Sequence, residues 1–344
     1  MVPIRNFRGW LAAVIFLVVF LSIKIFGCKS DVPYQHNEGI VFTTDYHFTY
    51  QSKTDYQDSI EALLQRFDNS VSPFNTKSLI SSVNNNDTSI VADIWLKNLI
   101  KRSKEIWVKS RGAFDPTVSP LVNAWGFGYK EGKLPNDLAL DSIMQYVGMD
   151  KIYLRSDGKI VKTVPGVTLN FSAIAKGYAA DIVADFLQNR RVDNFLVEIG
   201  GEIVSRGVNP EGKVWHIGID KPDVSNLGGE LQSIISVNNT AMATSGNYRN
   251  FKVINGKRVG HTMDPRTGKP AENSLLSATV IAKDCMTADA YATAFMAMGI
   301  EDSKLLLNSE PSLQVLFIYS VDTTKNEVYM TEGMSKLVKS VSNQ

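Results

Sequence analysis

Cysteine is nearly absent from this chain, with two in 344 residues, Cys28 and Cys285. Cys28 closes a leading segment, so Cys285 stands alone in the part that folds. An internal disulfide is excluded, and stability has to come from a core. A thiolate metal cluster is excluded with it. An excess of charge of one sign is lacking too. The formal net charge is +1, which argues against nucleic acid as a partner. Histidine occurs four times. No internal repeat or long low-complexity segment is visible, and there is no P-loop, Rossmann glycine pattern or Ser-His-Asp elbow. What is present is ordinary for a globular protein. Apolar residues make up 44 %, and the length allows one large or two medium domains.

The first 28 residues differ from the rest. Arg5 and Arg8 precede an apolar run from Trp10 to Ile23, and Gly27-Cys28 follows. A basic start, a short apolar run and a small residue before the cut describe an export signal. The run is shorter than the ~20 residues of a spanning helix, and Lys24 interrupts it. Cys28 sharpens the reading to a lipoprotein signal, against an uncleaved anchor or plain secretion, although Phe26 is bulkier than such signals usually carry. The expected organisation is a signal over 1–28, a polar tether over 29–38 and one domain over 39–344.

Residues 40–50 read as a strand, and 55–68 as a helix with Ile60, Leu63, Leu64 and Phe67 on one face. A second helix is expected from Ser89 to Ser110, stopped by Gly112, and a third from Ile174. Strands follow at 194–199, 202–206, 214–219, 231–237, 251–260 and 276–282, then a helix to Gly299 and a last strand pair at 314–320 and 326–330. Strands in runs with helices between them predict an α+β fold with mostly antiparallel pairing.

Several short stretches carry chemistry. On the helix opening at Met286-Thr287, Asp289 and Thr293 are four residues apart and share a face. A carboxylate above a hydroxyl offers a hard cation two oxygens. The plainer reading is an acidic residue near a helix start and a Thr bonding back to a carbonyl. Gly112 to Pro120 places Asp115 on a loop stiffened by two prolines, either a turn starter or a carboxylate facing a ligand. Trp125-Gly126-Phe127-Gly128-Tyr129 could stack a planar ring or simply pack. Asn170 to Asp181 joins a strand to a helix through small residues. Its helix start and Lys176 suit phosphate, or else form a tight corner with an exposed lysine. Glu198-Ile199-Gly200-Gly201-Glu202 reads as one strand with a double-glycine bulge or bend. Ala243-Thr244-Ser245-Gly246-Asn247-Tyr248 supplies hydroxyls and a glycine bend. His261 precedes an Asp264-Pro265-Arg266-Thr267-Gly268 turn and is a candidate base. Cys285 reads as buried rather than catalytic. The set suits an enzyme acting on a nucleotide or dinucleotide.

In order along the chain, these pieces resemble the ApbE family of FAD:protein FMN transferases. The resemblance rests on the signal with Cys28, Phe114-Asp115-Pro116-Thr117, Ala173 to Tyr178, Glu198 to Gly201, Ala243 to Gly246, His261 to Gly268 and Thr287 to Thr293. It covers about 40 to 300. It implies an α+β, ApbE-like (T-fold-related) architecture of mostly antiparallel sheets flanked by helices, with FAD in a central cleft.

The implied activity is magnesium-dependent transfer of FMN from FAD to a Thr or Ser hydroxyl of a target flavoprotein, releasing AMP. The implied metal ligands are Asp289, Thr293 and a backbone carbonyl placed at Ala173, with Ala175 as the competing register. Phe42, Phe74, Ala113, Phe114, Asp115, Asn170, Lys176, Tyr178 and Met263 would line the FAD site, Phe114 and Tyr178 as candidates for the flavin slot. His261 matches the family's catalytic histidine. Implied targets include subunits of the sodium-pumping NADH:quinone reductase and of the RNF complex, and the implied location is the periplasmic side of the inner membrane, anchored through Cys28. The chain departs from the family where Phe42-Thr43-Thr44 replaces Met-Gly-Thr, and at Phe74-Asn75, where a tyrosine that influences FAD hydrolysis is common. Two alternatives stand beside this reading, an FAD pyrophosphatase giving FMN and AMP, and a non-catalytic flavin-binding lipoprotein.

Overall fold

A computed structural model describes residues 32–128, 134–222, 230–247, 251–254, 257–322 and 325–341. The leading segment with Cys28, and both Tyr129 and Tyr248, lie outside the described residues.

Eight strands form the main sheet: β1 (Tyr34–Val41), β2 (Thr44–Gln51), β3 (Phe195–Ile199), β4 (Glu202–Arg206), β5 (Thr240–Gly246), β6 (Leu275–Ala282), β7 (Gln314–Ser320) and β8 (Asn326–Met330). They lie side by side in chain order, and every neighbouring pair is antiparallel. Four long helices accompany them: α1 (Gln57–Val71), α2 (Ile94–Lys109), α3 (Ala175–Gln188) and α4 (Cys285–Leu307). The α+β expectation with antiparallel pairing is met.

The inner strands from β3 to β7 serve two cores. On β6, Val280 and Ala282 face the helices, while Ile281 faces the other way with Ile203, Met242, Leu316 and Ile318. Successive side chains point to opposite faces of a strand, so both sheet faces are covered. The far face is closed by three further strands, at Trp215–Asp220, Leu231–Val237 and Val338–Val341. The near face carries α3 and α4. α4 is buried nearly all round, including Ala288, Asp289, Ala290, Tyr291, Ala292, Ala294 and Phe295, as expected of a helix sandwiched between a sheet and other helices. The helical path breaks at Gly299, whose φ of 75° suits glycine. α1 buries Ile60, Leu63, Leu64, Phe67 and Val71, one stripe at helical spacing.

Several expectations need correction. The single strand expected over 251–260 is an antiparallel pair, Phe251–Ile254 with Lys257–Gly260. Residues 34–38, expected in the tether, form the first part of β1. The single strand expected over 40–50 is a hairpin, because the chain reverses at Phe42 and Thr43, both at positive φ (51° and 62°). That backbone is usually supplied by Asn-Gly, so the sequence gives no turn signal. The double glycine at 200–201, read as a bulge or bend, is a two-residue turn (φ 62° and 94°) that pairs Ile199 with Glu202 and separates the strands expected at 194–199 and 202–206.

Candidate active site

Two clamps fasten α3 to α4. The Gly177 N–H donates to Asp289 Oδ2 at 3.0 Å. From the same helix, the Asp181 carboxylate accepts the Cys285 and Met286 N–H groups, each at 2.8 Å. Those two N–H groups belong to the first turn of α4, where a helix has no partners of its own. Asp284 caps the same end by accepting from Thr287 N at 2.8 Å. Gly177 is required at the crossing. A Cβ there would collide with the Cys285 carbonyl oxygen and lie 2.8 Å from the Asp289 Cβ.

Lys176, one residue earlier, donates from Nζ to Glu202 Oε2 at 2.7 Å and lies 3.5 Å from the Gly200 carbonyl oxygen. Glu202 and Asp289 are each 3 % exposed. One ammonium thus faces two buried carboxylates. Burial pushes Glu202 up to about 8, with the Asp289 charge adding and Lys176 opposing. Asp289 is raised by burial against the pull of Lys176 and the Gly177 N–H. Burial works against the Lys176 charge, but Glu202 and Asp289 outweigh it and hold the ammonium above its usual range. A site of this kind favours an added positive charge.

The oxygens beside Asp289 are all hard donors. Thr293, one turn along α4, has Oγ1 3.4 Å from Ser245 Oγ on β5. Ala173 precedes α3, and the N–H four residues on, that of Gly177, goes to Asp289. Ala175 opens the helix, so its carbonyl has the helical ladder available. Among the described residues no group of three or more His, Cys, Asp or Glu could hold a metal. A cation here would depend on a mixed set of carboxylate, hydroxyl and carbonyl oxygen, which fits magnesium's preference for oxygen and retained water.

Beside this junction opens a cavity of about 860 Å³. Phe42, Thr43, Leu64, Phe67, Phe74, Phe171, Ala175 and Lys176 are among its walls. Phe42 meets Phe67 edge to face at 5.9 Å, and Phe74 is 56 % exposed at the mouth. The cavity is apolar over much of its wall and ends at a lysine on a helix start, a shape that suits a planar ring with a phosphate tail.

The other expected residues separate into supports and neighbours. Phe114, a candidate for the flavin slot, is instead packed in the core at 1 % exposure. Core burial won because the loop at 112–116 is held tightly. Asp115 accepts from Thr117 N and Oγ1 and from Met149 N, so its carboxylate braces loops rather than facing the cavity. Ala113 is buried beside it. Tyr178, the other slot candidate, lies edge-on to Phe67 at 5.6 Å, and its hydroxyl accepts from Asn98. It backs the cavity wall. Asn170 N bonds the Pro116 carbonyl at 2.8 Å and its side chain accepts from Ser172, tying the two loops together. His261 is half-buried at a bend after the strand Lys257–Gly260, and Met263 is buried in the next strand. Asp264 forms a two-point ion pair with Arg266, which also approaches Asp302 beyond the Gly299 break and lies against Gly112. The motif loops at 112–116, 170–177 and 261–268 therefore gather around α4.

Gly177, Asp181 and Glu202 fall inside the quoted motifs, yet nothing in the sequence assigned them a role. The available signal was a glycine one turn into a helix and an acidic residue opening a strand after a double-glycine turn. Neither is specific without the partner 112 or 26 residues away.

The architecture is that of solved flavin transferases. The structure overlays "Flavin Transferase ApbE from Vibrio cholerae" with a TM-score of 0.81 at 32 % identity, covering 89 % of this chain and 99 % of that one. It overlays the apo form of Pseudomonas stutzeri flavinyl transferase ApbE with a TM-score of 0.80 at 27 % identity, covering 90 % and 98 %. In sequence the chain is 34 % identical to the FAD:protein FMN transferase of Vibrio cholerae over 92 % of this chain and 95 % of that protein. It is 33 % identical to the Haemophilus influenzae enzyme of the same name over 89 % and 92 %. The sequence signature of the ApbE family matches residues 42–317. The chain belongs to the ApbE family.

Proposed function

We propose that this protein is an FAD:protein FMN transferase that moves the FMN half of FAD onto a Thr or Ser hydroxyl of a target flavoprotein and releases AMP. The observation that carries the reading is the Asp289–Gly177 contact beside Lys176, at the end of an aromatic-walled cavity. Family membership and the names of the relatives support it.

In this reading Phe42 and Phe74 wall the flavin ring, and the diphosphate lies over the start of α3. Magnesium, when bound by Asp289, Thr293 and the Ala173 carbonyl, supplies charge neutralisation on the diphosphate oxygens. The Lys176 ammonium, at the start of α3, holds the remaining negative charge. The acceptor hydroxyl forms a bond to the FMN phosphorus as the bond to the AMP oxygen breaks. His261 takes the hydroxyl proton. The Asp115 and Asn170 loops keep this end of the cavity in register.

The signal-like start supports lipidation at Cys28 and a place on the periplasmic side of the inner membrane. Flavoprotein subunits of the sodium-pumping NADH:quinone reductase or the RNF complex would then be the acceptors. The test is to incubate the protein with FAD, magnesium and such a subunit. The reading expects the acceptor to gain one FMN by mass, with one AMP released per adduct. AMP formed equally fast from FAD alone, with no adduct, would make the protein an FAD pyrophosphatase instead.

A further inference from the structure

The carboxylate of Glu202 has no part in the chemistry above, yet it is buried at the centre of the site. It opens β4 immediately after the Gly200–Gly201 turn and is 3 % exposed. Its side-chain hydrogen bond is with Lys176 Nζ, at 2.7 Å. Lys176 is a flexible four-carbon stem on the second residue of α3, and the backbone of its neighbour, Gly177, already touches Asp289. Two carboxylates therefore compete for one ammonium.

We propose that Glu202 is a positioning residue that keeps the Lys176 ammonium beside the Gly200 turn and off Asp289, so that Asp289 stays open to a divalent cation. The Gly200 carbonyl, 3.5 Å from Nζ, gives the ammonium a second anchor on the same side. Without Glu202, Asp289 becomes the nearest carboxylate, and in a buried setting opposite charges attract strongly. The ammonium would then occupy the position the cation needs. With Glu202 in place, the ammonium is held in a pair of its own, and Asp289 is left to the divalent ion that meets an incoming diphosphate.

The inference rests on the metal reading of Asp289, and the experiment separates the two. Mg2+ alone is titrated calorimetrically into the purified, FAD-free, full-length protein and its variants, with thermal unfolding as a check on folding. Glu202→Gln is expected to weaken Mg2+ binding by about tenfold or more, since it leaves the ammonium without its partner. Adding Lys176→Met to that variant is expected to restore Mg2+ affinity to within about threefold of Lys176→Met alone, the behaviour of coupled rather than independent sites. Excess Mg2+ should bring the turnover of Glu202→Gln back. Glu202→Ala makes the same comparison if Glu202→Gln does not fold. Parent-like Mg2+ affinity in Glu202→Gln, or a double variant as weak as Glu202→Gln, overturns the inference. Parent-like Mg2+ binding by Asp289→Ala overturns the metal reading itself.

Discussion

Gly177 and Asp289 come from different helices and touch without a side chain between them. The Gly177 N–H donates to Asp289 Oδ2 at 3.0 Å, and any Cβ on Gly177 would fall 2.8 Å from the Asp289 Cβ. The candidate metal ligand is thus aimed by a backbone group that only a glycine can bring close enough.

Gly177→Ala is expected to lose most transfer activity and to destabilise the protein by ~1–3 kcal/mol, the usual range for overpacking. The added methyl must push α3 from the Cys285 carbonyl and turn Asp289 away. Thermal unfolding and Mg2+ titration measure the two effects. Full activity with a parent melting temperature would show that the close crossing is unnecessary.

Asp181 predicts a pH dependence of stability. Burial pushes it up to about 7 from the ordinary 3.8, against two N–H groups that lower it. The folded chain therefore holds this proton more tightly than the unfolded chain does. That contribution to stability is fully present below about pH 4 and is lost as pH rises through 7. Asp181→Asn, which cannot ionise, should flatten the fall in stability between pH 4 and 7, as read by urea unfolding at each pH. An unchanged slope would contradict the assignment.

Phe74 is exposed at the cavity mouth, so it can be changed with little effect on folding. Phe74→Ala is expected to weaken FAD binding by ~1 kcal/mol, about fivefold, the scale of a lost aromatic contact. Flavin fluorescence titration reads this directly. Unchanged FAD affinity would place the ring elsewhere.

His261→Ala is expected to lower transfer by ~10²–10⁴-fold, the range for a lost general base. Mg2+ binding should stay as in the parent, because the imidazole acts on the acceptor's proton. A parent rate would remove His261 from the reaction.

Much of this organisation was legible in the sequence, and the exceptions have physical reasons. The Asp289–Thr293 spacing, the α1 stripe at Ile60, Leu63, Leu64 and Phe67, and strands β4 and β8 follow from periodicity. The central strand β5, Ala241-Met242-Ala243-Thr244-Ser245 within Thr240–Gly246, did not read as a strand. It is short of the branched and aromatic residues that mark strands, since close packing against α4 calls for small ones. The hairpin at Phe42–Thr43 was hidden because its backbone is imposed by the sheet rather than preferred by the residues. The pairing of Lys176 with Glu202 is tertiary, and no local pattern encodes it.

The most direct test of the central claim is where FAD binds. In crystals of the protein soaked with FAD and Mg2+, density for the diphosphate should lie between Asp289 and Lys176, with the flavin ring between Phe42 and Phe74. Flavin bound away from the α3–α4 crossing, or a diphosphate out of reach of both side chains, would contradict the account.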